Sequence, residues 1–490
     1  MATHNSLIND DSLRPHADGV ALSLQIPWYR SLWVSSVNSI ALSIEGAEVP
    51  AEDLRLEFAA GSWPVTELSE QTETLWFLQE RPLLIARLPE PLALGRAHDV
   101  DITIDMSVVY MQIKPGMYVP NRVRLERTLT VTDGAAAIPP LLVEETPPPA
   151  DDRDGLPFRL GLTLYSATAE LAAGQYDLDS LLTRVADAGV GPGIEIVASQ
   201  MLPTYPVVSD EFADTWRRTF DAHGFVPSSF GANLDMGRNR QRDMTPDEEF
   251  EFTQTLFHGA KKLGFPLVRI QSAKRDLLRR LIPLAEQLEL KMAYEIHAPS
   301  GPNSPNIMEV RDVYAEFDSP LLGFVADFSA TMHSMSPTLL RAVRKMGLDD
   351  EAVARMQEIW ATDAPMYAQQ TEFIGYLEGR GIDPATLGPL SRLAFNMHGH
   401  VPITDWADIM PQILHVHAKF YDIDETGQEP AIDIPGLVRE FVTGGYRGFW
   451  SSEWEGHAFA DLGEVDPIAL VRKQHDLIVA SMRELQPAAI

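Results

Sequence analysis

From residue 158 onward, eight short apolar runs are separated by long amphipathic stretches, and that alternation leaves few folds open. The runs are RLGLTLYS, GIEIVAS, FVPSSFGAN, LVRIQS, KMAYEIH, LLGFVADFS, ILHVHAKFYD and GFWSSEW. Between them lie stretches such as DLDSLLTRVADAG and DEEFEFTQTLFHGAKKLG, whose apolar residues recur at helical spacing. Repetition of strand and helix builds a parallel sheet, and eight such strands close it into a (β/α)8 TIM barrel. The predicted barrel covers 158–490. One spacing breaks the rhythm: Asp327 and His417 lie 90 positions apart, whereas Glu295 to Asp327 is 32 and His417 to Glu453 is 36. The sixth strand-to-helix connection therefore carries a helical insertion at about 330–410, expected to sit over the barrel mouth as a lid or an interface.

A chain of 490 residues is longer than one hydrophobic core normally grows, so a second domain is expected before the barrel. From Val20 to about Val131 the pattern changes to short alternating runs such as ALSLQIP, SIALSIEG, DVDITIDM and RVRLERTLTV, separated by Gly, Pro, Asp and Asn. Period-two alternation between turn residues predicts a small antiparallel β-sandwich, placed at 20–137. Residues 1–19 read as a flexible tail, and IPPLLVEETPPPADDRDGLP, at 138–157, reads as a Pro-rich linker with little that could pack.

Composition narrows the partners and the chemistry. The 39 basic and 70 acidic residues give a formal charge of −31, a field that repels phosphate backbones and anionic lipid surfaces. No apolar run reaches the length of a membrane span, and the N-terminus lacks the basic and apolar regions of a secretory signal. A cytoplasmic protein acting on a small molecule is expected. With no cysteine, metal ligands and catalytic groups must come from carboxylates and imidazoles.

Active sites of such barrels lie at the C-terminal ends of the strands, and side chains alternate in direction along a strand. In KMAYEIH, Ala293, Glu295 and His297 share one face. By the same parity Val325, Asp327 and Ser329 align on the sixth strand, His415, His417 and Lys419 on the seventh, and Ser451, Glu453 and Glu455 on the eighth. Four consecutive strands thus each deliver one potential ligand: Glu295, Asp327, His417 and Glu453. Any one alone reads better as a satisfied polar group of the barrel interior. As a set, three carboxylates and an imidazole would repel or stay unpaired without a cation between them. An oxygen-rich set of this kind suits Mn²⁺, or Mg²⁺, better than structural zinc.

YEIHAP, VADFS, HVHAKF and SSEWEGH make residues 158 to 485 resemble the xylose-isomerase-like TIM barrels of the sugar phosphate isomerase and epimerase family. The resemblance implies one divalent cation held by Glu, Asp, His and Glu on strands five to eight, with His417 rather than His415 as the histidine ligand. Epimerases of this group carry a substrate-binding histidine three residues after the aspartate, where this chain has Ala330. QIPWYRSLWVSSVNSIALSIEG and DVDITIDMSVVYM, in turn, resemble the β-subunit of the C-glycoside deglycosidases, whose α-subunit is a barrel of the same family.

What the two resemblances imply together is a metal-dependent lyase that cleaves 3-keto-C-glycosides, and possible 3-keto-O-glycosides, by removing the sugar C2 proton and eliminating the aglycone. The alternative is an isomerase or epimerase acting on a free ketose or sugar phosphate through an enediolate; a carbohydrate-binding barrel without activity is the third reading. Further copies of the chain are the expected partners. His297 is the expected acid/base, or a residue that orients a ligand. Glu455 and Lys419 are candidate catalytic groups, Lys419 either facing a developing oxyanion or pairing with a carboxylate. His457, His333, His398, His400 and Glu195 are candidate substrate contacts, although the three histidines of the insertion could equally cap loops and Glu195 could be structural.

Overall fold

The computed structural model describes residues 7–8, 11–134, 137–146, 155–387 and 390–485. Its largest element is a closed parallel barrel in which eight strands follow one another in chain order. They are Arg159–Thr163, Gly193–Val197, Val226–Ala232, Leu267–Ile270, Lys291–Ile296, Leu322–Asp327, Ile413–Phe420 and Phe449–Trp454. Each falls within one of the eight apolar runs, which are continuous because a barrel strand is covered on both faces. The two amphipathic stretches become the helices Leu178–Asp187 and Pro246–Lys262. Both start at reciprocal capping boxes, Asp177 with Ser180 and Thr245 with Glu248, which satisfy the first free backbone N–H groups. The insertion after the sixth strand contains the helices Pro337–Lys345, Asp350–Trp360, Met366–Gly379 and Leu390–Asn396.

The N-terminal part forms two main antiparallel sheets. One has the order Leu13–His16, Gly19–Ser23, Leu83–Arg87, Leu54–Phe58, Gly61–Pro64; the other runs Met117–Thr130, Ala97–Lys114, Val37–Ile44, Ala47–Val49. Alternation decides which side is buried: in Leu54–Phe58 the residues Leu54, Leu56 and Phe58 are buried while Arg55 and Glu57 face solvent. Ile102, Ile104 and Met106 do the same for the second sheet.

Two expectations need correcting. Residues 11–19 are not a flexible tail: Leu13–His16 pairs with Gly19–Ser23 as an edge strand, and Leu7, Ile8 and Leu13 are buried. The apolar residues of the segment outweigh its polar flavour once a sheet edge is available to them. The remainder of 1–19 lies outside the described residues. Within the Pro-rich segment, Leu141 packs on the hydrophobic core, Gln175 Nε2 donates to the Pro139 carbonyl and Arg184 to that of Glu144. This part lies along the barrel, and 147–154 fall outside the described residues.

Sandwich and barrel share a buried interface built on WYRSLW. The Arg30 guanidinium, fully buried, donates to both oxygens of Asp235 at 2.7 and 2.8 Å, and Trp33 Nε1 donates to the same carboxylate at 2.8 Å. Gln200 Nε2 donates to the Tyr29 carbonyl, and Ser31 N to that of Ser199. Removing one partner of a buried ion pair leaves the other charge without compensation, a cost of about 3–5 kcal/mol. Asp235→Ala should accordingly lower the stability measured by urea unfolding by about that amount. A loss below about 1 kcal/mol would show that the pair does not couple the two parts.

Candidate metal centre and active site

Each potential ligand sits at the C-terminal end of its strand, where parallel pairing brings neighbours level: Asp327 is in register with His417, and Lys419 with Glu453. One donor atom from each of Glu295, Asp327, His417 and Glu453 lies within 4.8 Å of all the others. His417 Nδ1 stands 2.8 Å from Glu295 Oε1 and 3.1 Å from Glu453 Oε2. Despite this crowding, His417 Nδ1, Asp327 Oδ2 and Glu453 Oε2 are buried and have no hydrogen-bond partner. Buried polar atoms are normally satisfied, so three orphans at one point fit a divalent cation between them.

On Glu295, Asp327 and His417 the atoms turned away from the cluster are already engaged. His417 Nε2 is 2.9 Å from Glu195 Oε1 and His415 Nε2 is 2.9 Å from Glu195 Oε2. A carboxylate at Nε2 puts the proton there and leaves the Nδ1 lone pair for a metal. Burial would raise the pKa of Glu195, yet His417 and His415 hold it well below the carboxylate range. Glu295 Oε2 accepts from Gln271 Nε2 at 2.6 Å and pairs with Arg269 at 3.4 Å. Arg269 fits there because its neighbour on the adjacent strand is Gly231, whose Cβ, if present, would meet the guanidinium at 2.6 Å. Asp327 Oδ1 accepts from Ser329 N at 2.8 Å and so caps the turn that follows its strand.

Beside this cluster stands a second layer. Lys419 Nζ lies 2.8 Å from Glu455 Oε2, 3.1 Å from Asp327 Oδ2 and 3.2 Å from His297 Nε2. Burial works against charge on Lys419, but Asp327, Glu453 and Glu455 together hold its pKa well above the ordinary value. The ring of His297 is fixed from its other side, Nδ1 donating to the Ala298 carbonyl at 2.7 Å. That bond defines the tautomer and turns Nε2, with its lone pair, toward the cluster. His297, Lys419, Glu453 and Glu455 all line a cavity of about 370 Å³ at the barrel mouth.

The structure does not leave every candidate available to a substrate in this cavity. Glu195 is fully enclosed and spent on two histidines, so it has no atom for a substrate. Glu455 has one oxygen on Lys419 and the other on the Tyr165 hydroxyl, which makes it the anchor of Lys419. His457 is buried edge-on against Tyr165, and burial pushes its pKa down to about 3, so it is neutral. His398, likewise pushed down to about 3 by burial, stacks on Tyr421 and meets Ser336. His333 and His400 line a different surface cavity, with Trp360. These placements follow from packing of the insertion and the last loop, which strand parity does not reach. Conversely, Tyr165, Arg269 and Gln271 reach the cavity without having been singled out; an arginine in the otherwise apolar LVRI was the available signal. Tyr29, Tyr110 and Met111 reach it from the sandwich.

Relatives are known for both parts of the chain. The family described as C-glycoside deglycosidase beta subunit matches residues 3–110. A C-glycoside deglycosidase alpha subunit from Arthrobacter globiformis is 58% identical over 330 residues, covering 67% of this chain and 94% of that protein. The chain belongs to the C-glycoside deglycosidase family. A 3'-dehydrocarminate deglycosidase alpha subunit from a Microbacterium species is 36% identical over 68% of this chain and 97% of its own length. A C-glycoside deglycosidase beta subunit from Arthrobacter globiformis is 43% identical over 131 residues, 27% of this chain and 99% of that protein. Sequences that are separate subunits in those relatives are joined here in one polypeptide. Among the described residues no helix is long and apolar enough to cross a membrane.

If Glu195 sets the tautomer of His417, Glu195→Gln should weaken cation binding about 10- to 100-fold, as loss of such outer partners does elsewhere. Titration calorimetry with Mn²⁺ reads this directly, and an unchanged affinity would contradict the role.

Proposed function

We propose that this chain is a carbon–carbon lyase that cleaves C-glycosides whose sugar has first been oxidised at C3. The observation that carries the reading is His297: an imidazole anchored through Nδ1, with Nε2 facing the four-donor cluster and the cavity. Ordinary glycosidases protonate a leaving oxygen, and a C-glycoside has none. A 3-keto group changes the problem, because the C2 hydrogen becomes acidic and the aglycone at C1 becomes β to the carbonyl. The relative named for a 3'-dehydro substrate supports this choice. A bound divalent cation, Mn²⁺ or Mg²⁺, would supply Lewis-acid polarisation of the sugar's C2 and C3 oxygens.

His297 Nε2 takes the C2 proton, and the electron pair moves into the C2–C3 bond as the carbonyl oxygen gains charge. Lys419, held in place by Asp327 and Glu455, presents a fixed ammonium where that charge grows. The pair then returns to form the C1–C2 double bond, and the C1–aglycone bond breaks. The aglycone carbon leaves with two electrons and takes up a proton. Tyr165 fixes Glu455, Glu455 fixes Lys419, and the ring of His297 cannot turn away without losing its bond to Ala298. The equipment is pre-aligned and needs little rearrangement.

His297→Ala should therefore keep the cation, since the imidazole is outside the four-donor set, yet lose turnover by a factor of about 10²–10⁴. The check pairs metal content with mass-spectrometric detection of free aglycone and unsaturated keto-sugar. Chelation should abolish release and Mn²⁺ or Mg²⁺ restore it. A wild-type protein that leaves 3-keto-C-glycosides intact but interconverts free ketoses would replace the lyase by the isomerase reading.

A further inference from the structure

One wall of the active cavity does not belong to the barrel. In the second sheet, Ala97–Lys114 pairs with Met117–Thr130 residue for residue as far as Val108 opposite Val119, then resumes at Gln112 opposite Tyr118. Val109, Tyr110 and Met111 are the extra residues of a bulge, the device by which a strand re-aims side chains. The bulge is pinned to the barrel: Gly237 N donates to the Val109 carbonyl at 2.9 Å, and Asp243 accepts from Gln112 Nε2 at 2.8 Å and from the Tyr118 hydroxyl at 2.6 Å. Position 237 has to be glycine for this approach, because a Cβ there would lie 2.4 Å from the Tyr118 ring.

The hydroxyls of this wall are ordered in one direction. Trp28 Nε1 donates to Tyr110 Oη at 3.0 Å, and Tyr110 Oη donates to Tyr29 Oη at 2.7 Å. Tyr29 is an acceptor in that chain, so its own proton remains for the cavity. The rings are held as well: Arg30 lies over Tyr110 at 4.4 Å, and Tyr29 meets Tyr110 and Tyr165 edge-on at 6.5 and 5.6 Å. Among closely packed neighbours, Tyr29, Tyr110 and Met111 are only half-buried, and the face left open is the cavity.

The chemistry of the leaving group says what that face should meet. A carbon that departs with an electron pair needs a place to put it, and a ring carbon beside a phenolic hydroxyl has one in the ring's keto tautomer: that carbon holds the proton the hydroxyl has given up, and the pair of the breaking bond passes into the ring and onto the oxygen, restoring the phenol. The group opposite the sugar is then flat, polarisable and oxygen-bearing. Two tyrosine rings and a thioether match its surface, and a spare hydroxyl proton matches its oxygen. We infer that the N-terminal sandwich carries the aglycone subsite, Tyr29, Tyr110 and Met111 receiving a planar phenolic ring and Tyr29 Oη donating to one of its oxygens. The inference rests on the proposed elimination. It makes the sandwich a specificity-determining part of the active site.

The test uses the full chain as wild type, Tyr29→Phe and Met111→Ala, loaded with Mn²⁺. Tyr29→Phe removes one hydroxyl and keeps the ring, so the interface stays packed. Two substrates are compared, an aryl 3-keto-C-glycoside and a methyl 3-keto-glucoside, which share the sugar and differ in what lies beyond C1. Each variant should raise KM for the aryl substrate about tenfold, roughly the loss of one good contact, and change KM for the methyl substrate less than twofold. Calorimetry with free trihydroxyacetophenone gives a readout without turnover, and both variants should weaken its binding by a similar factor. Equal changes with both substrates, or none with the aryl one, would overturn the subsite. If wild type turned over neither substrate but bound the phenol in a manner sensitive to both variants, the elimination would fall and the subsite would stand.

Discussion

Carboxylates withdrawn from water repel one another, and the arrangement of this barrel's mouth follows from how that repulsion is relieved. Glu195, Glu295, Asp327, Glu453 and Glu455 are all buried, and the permanent cations packed among them are Arg269 and Lys419. Uncompensated, each such charge costs several kcal/mol. His417 shows the field they create: burial disfavours its charge, yet Glu195 and Glu453 hold its pKa well above the usual value. A field that draws a proton onto a buried ring also draws a divalent cation, and the donor atoms left without partners are those nearest its place. Lys419 is the second consequence. It stays charged because three carboxylates surround it, and this keeps a positive group beside His297.

The same economy of charge joins the two parts of the chain. Arg30 and Asp235 neutralise each other inside the contact, with Trp33 satisfying the second carboxylate oxygen. An interface fixed by a buried, hydrogen-bonded ion pair gives a defined geometry, which a site shared between two elements requires. Covalent fusion then guarantees one sandwich for each barrel, where the relatives similar to the two parts are separate subunits.

Much of this was legible beforehand because it is local. Eight apolar runs and the parity of side chains along a strand are enough to find Glu295, Asp327, His417 and Glu453, and to turn His297 toward them. Parity also pointed Glu195 inward, but its partners lie more than two hundred residues away, and only the closed barrel shows that it serves His415 and His417 rather than substrate. The histidines of the insertion carried no comparable rule, since nothing periodic tells which way a loop packs. DVDITIDM alternates strictly and the VVYM after it does not, but where the bulge turns Tyr110 and Met111 depends on contacts with Gly237 and Asp243. Residues 11–19 looked polar enough to be free, yet four of them pair as a strand at a sheet edge.

On the reading proposed above, four side chains on consecutive strands hold one cation, with His417 as the sole nitrogen ligand. Anomalous diffraction from crystals of the full chain soaked in Mn²⁺ tests it most directly. The account predicts a single strong peak at about 2.0–2.3 Å, ordinary bond lengths for such ligands, from Glu295 Oε1, Asp327 Oδ2, His417 Nδ1 and Glu453 Oε2. A peak bonded to His297 or to Glu195, or no peak between these four groups, would contradict it.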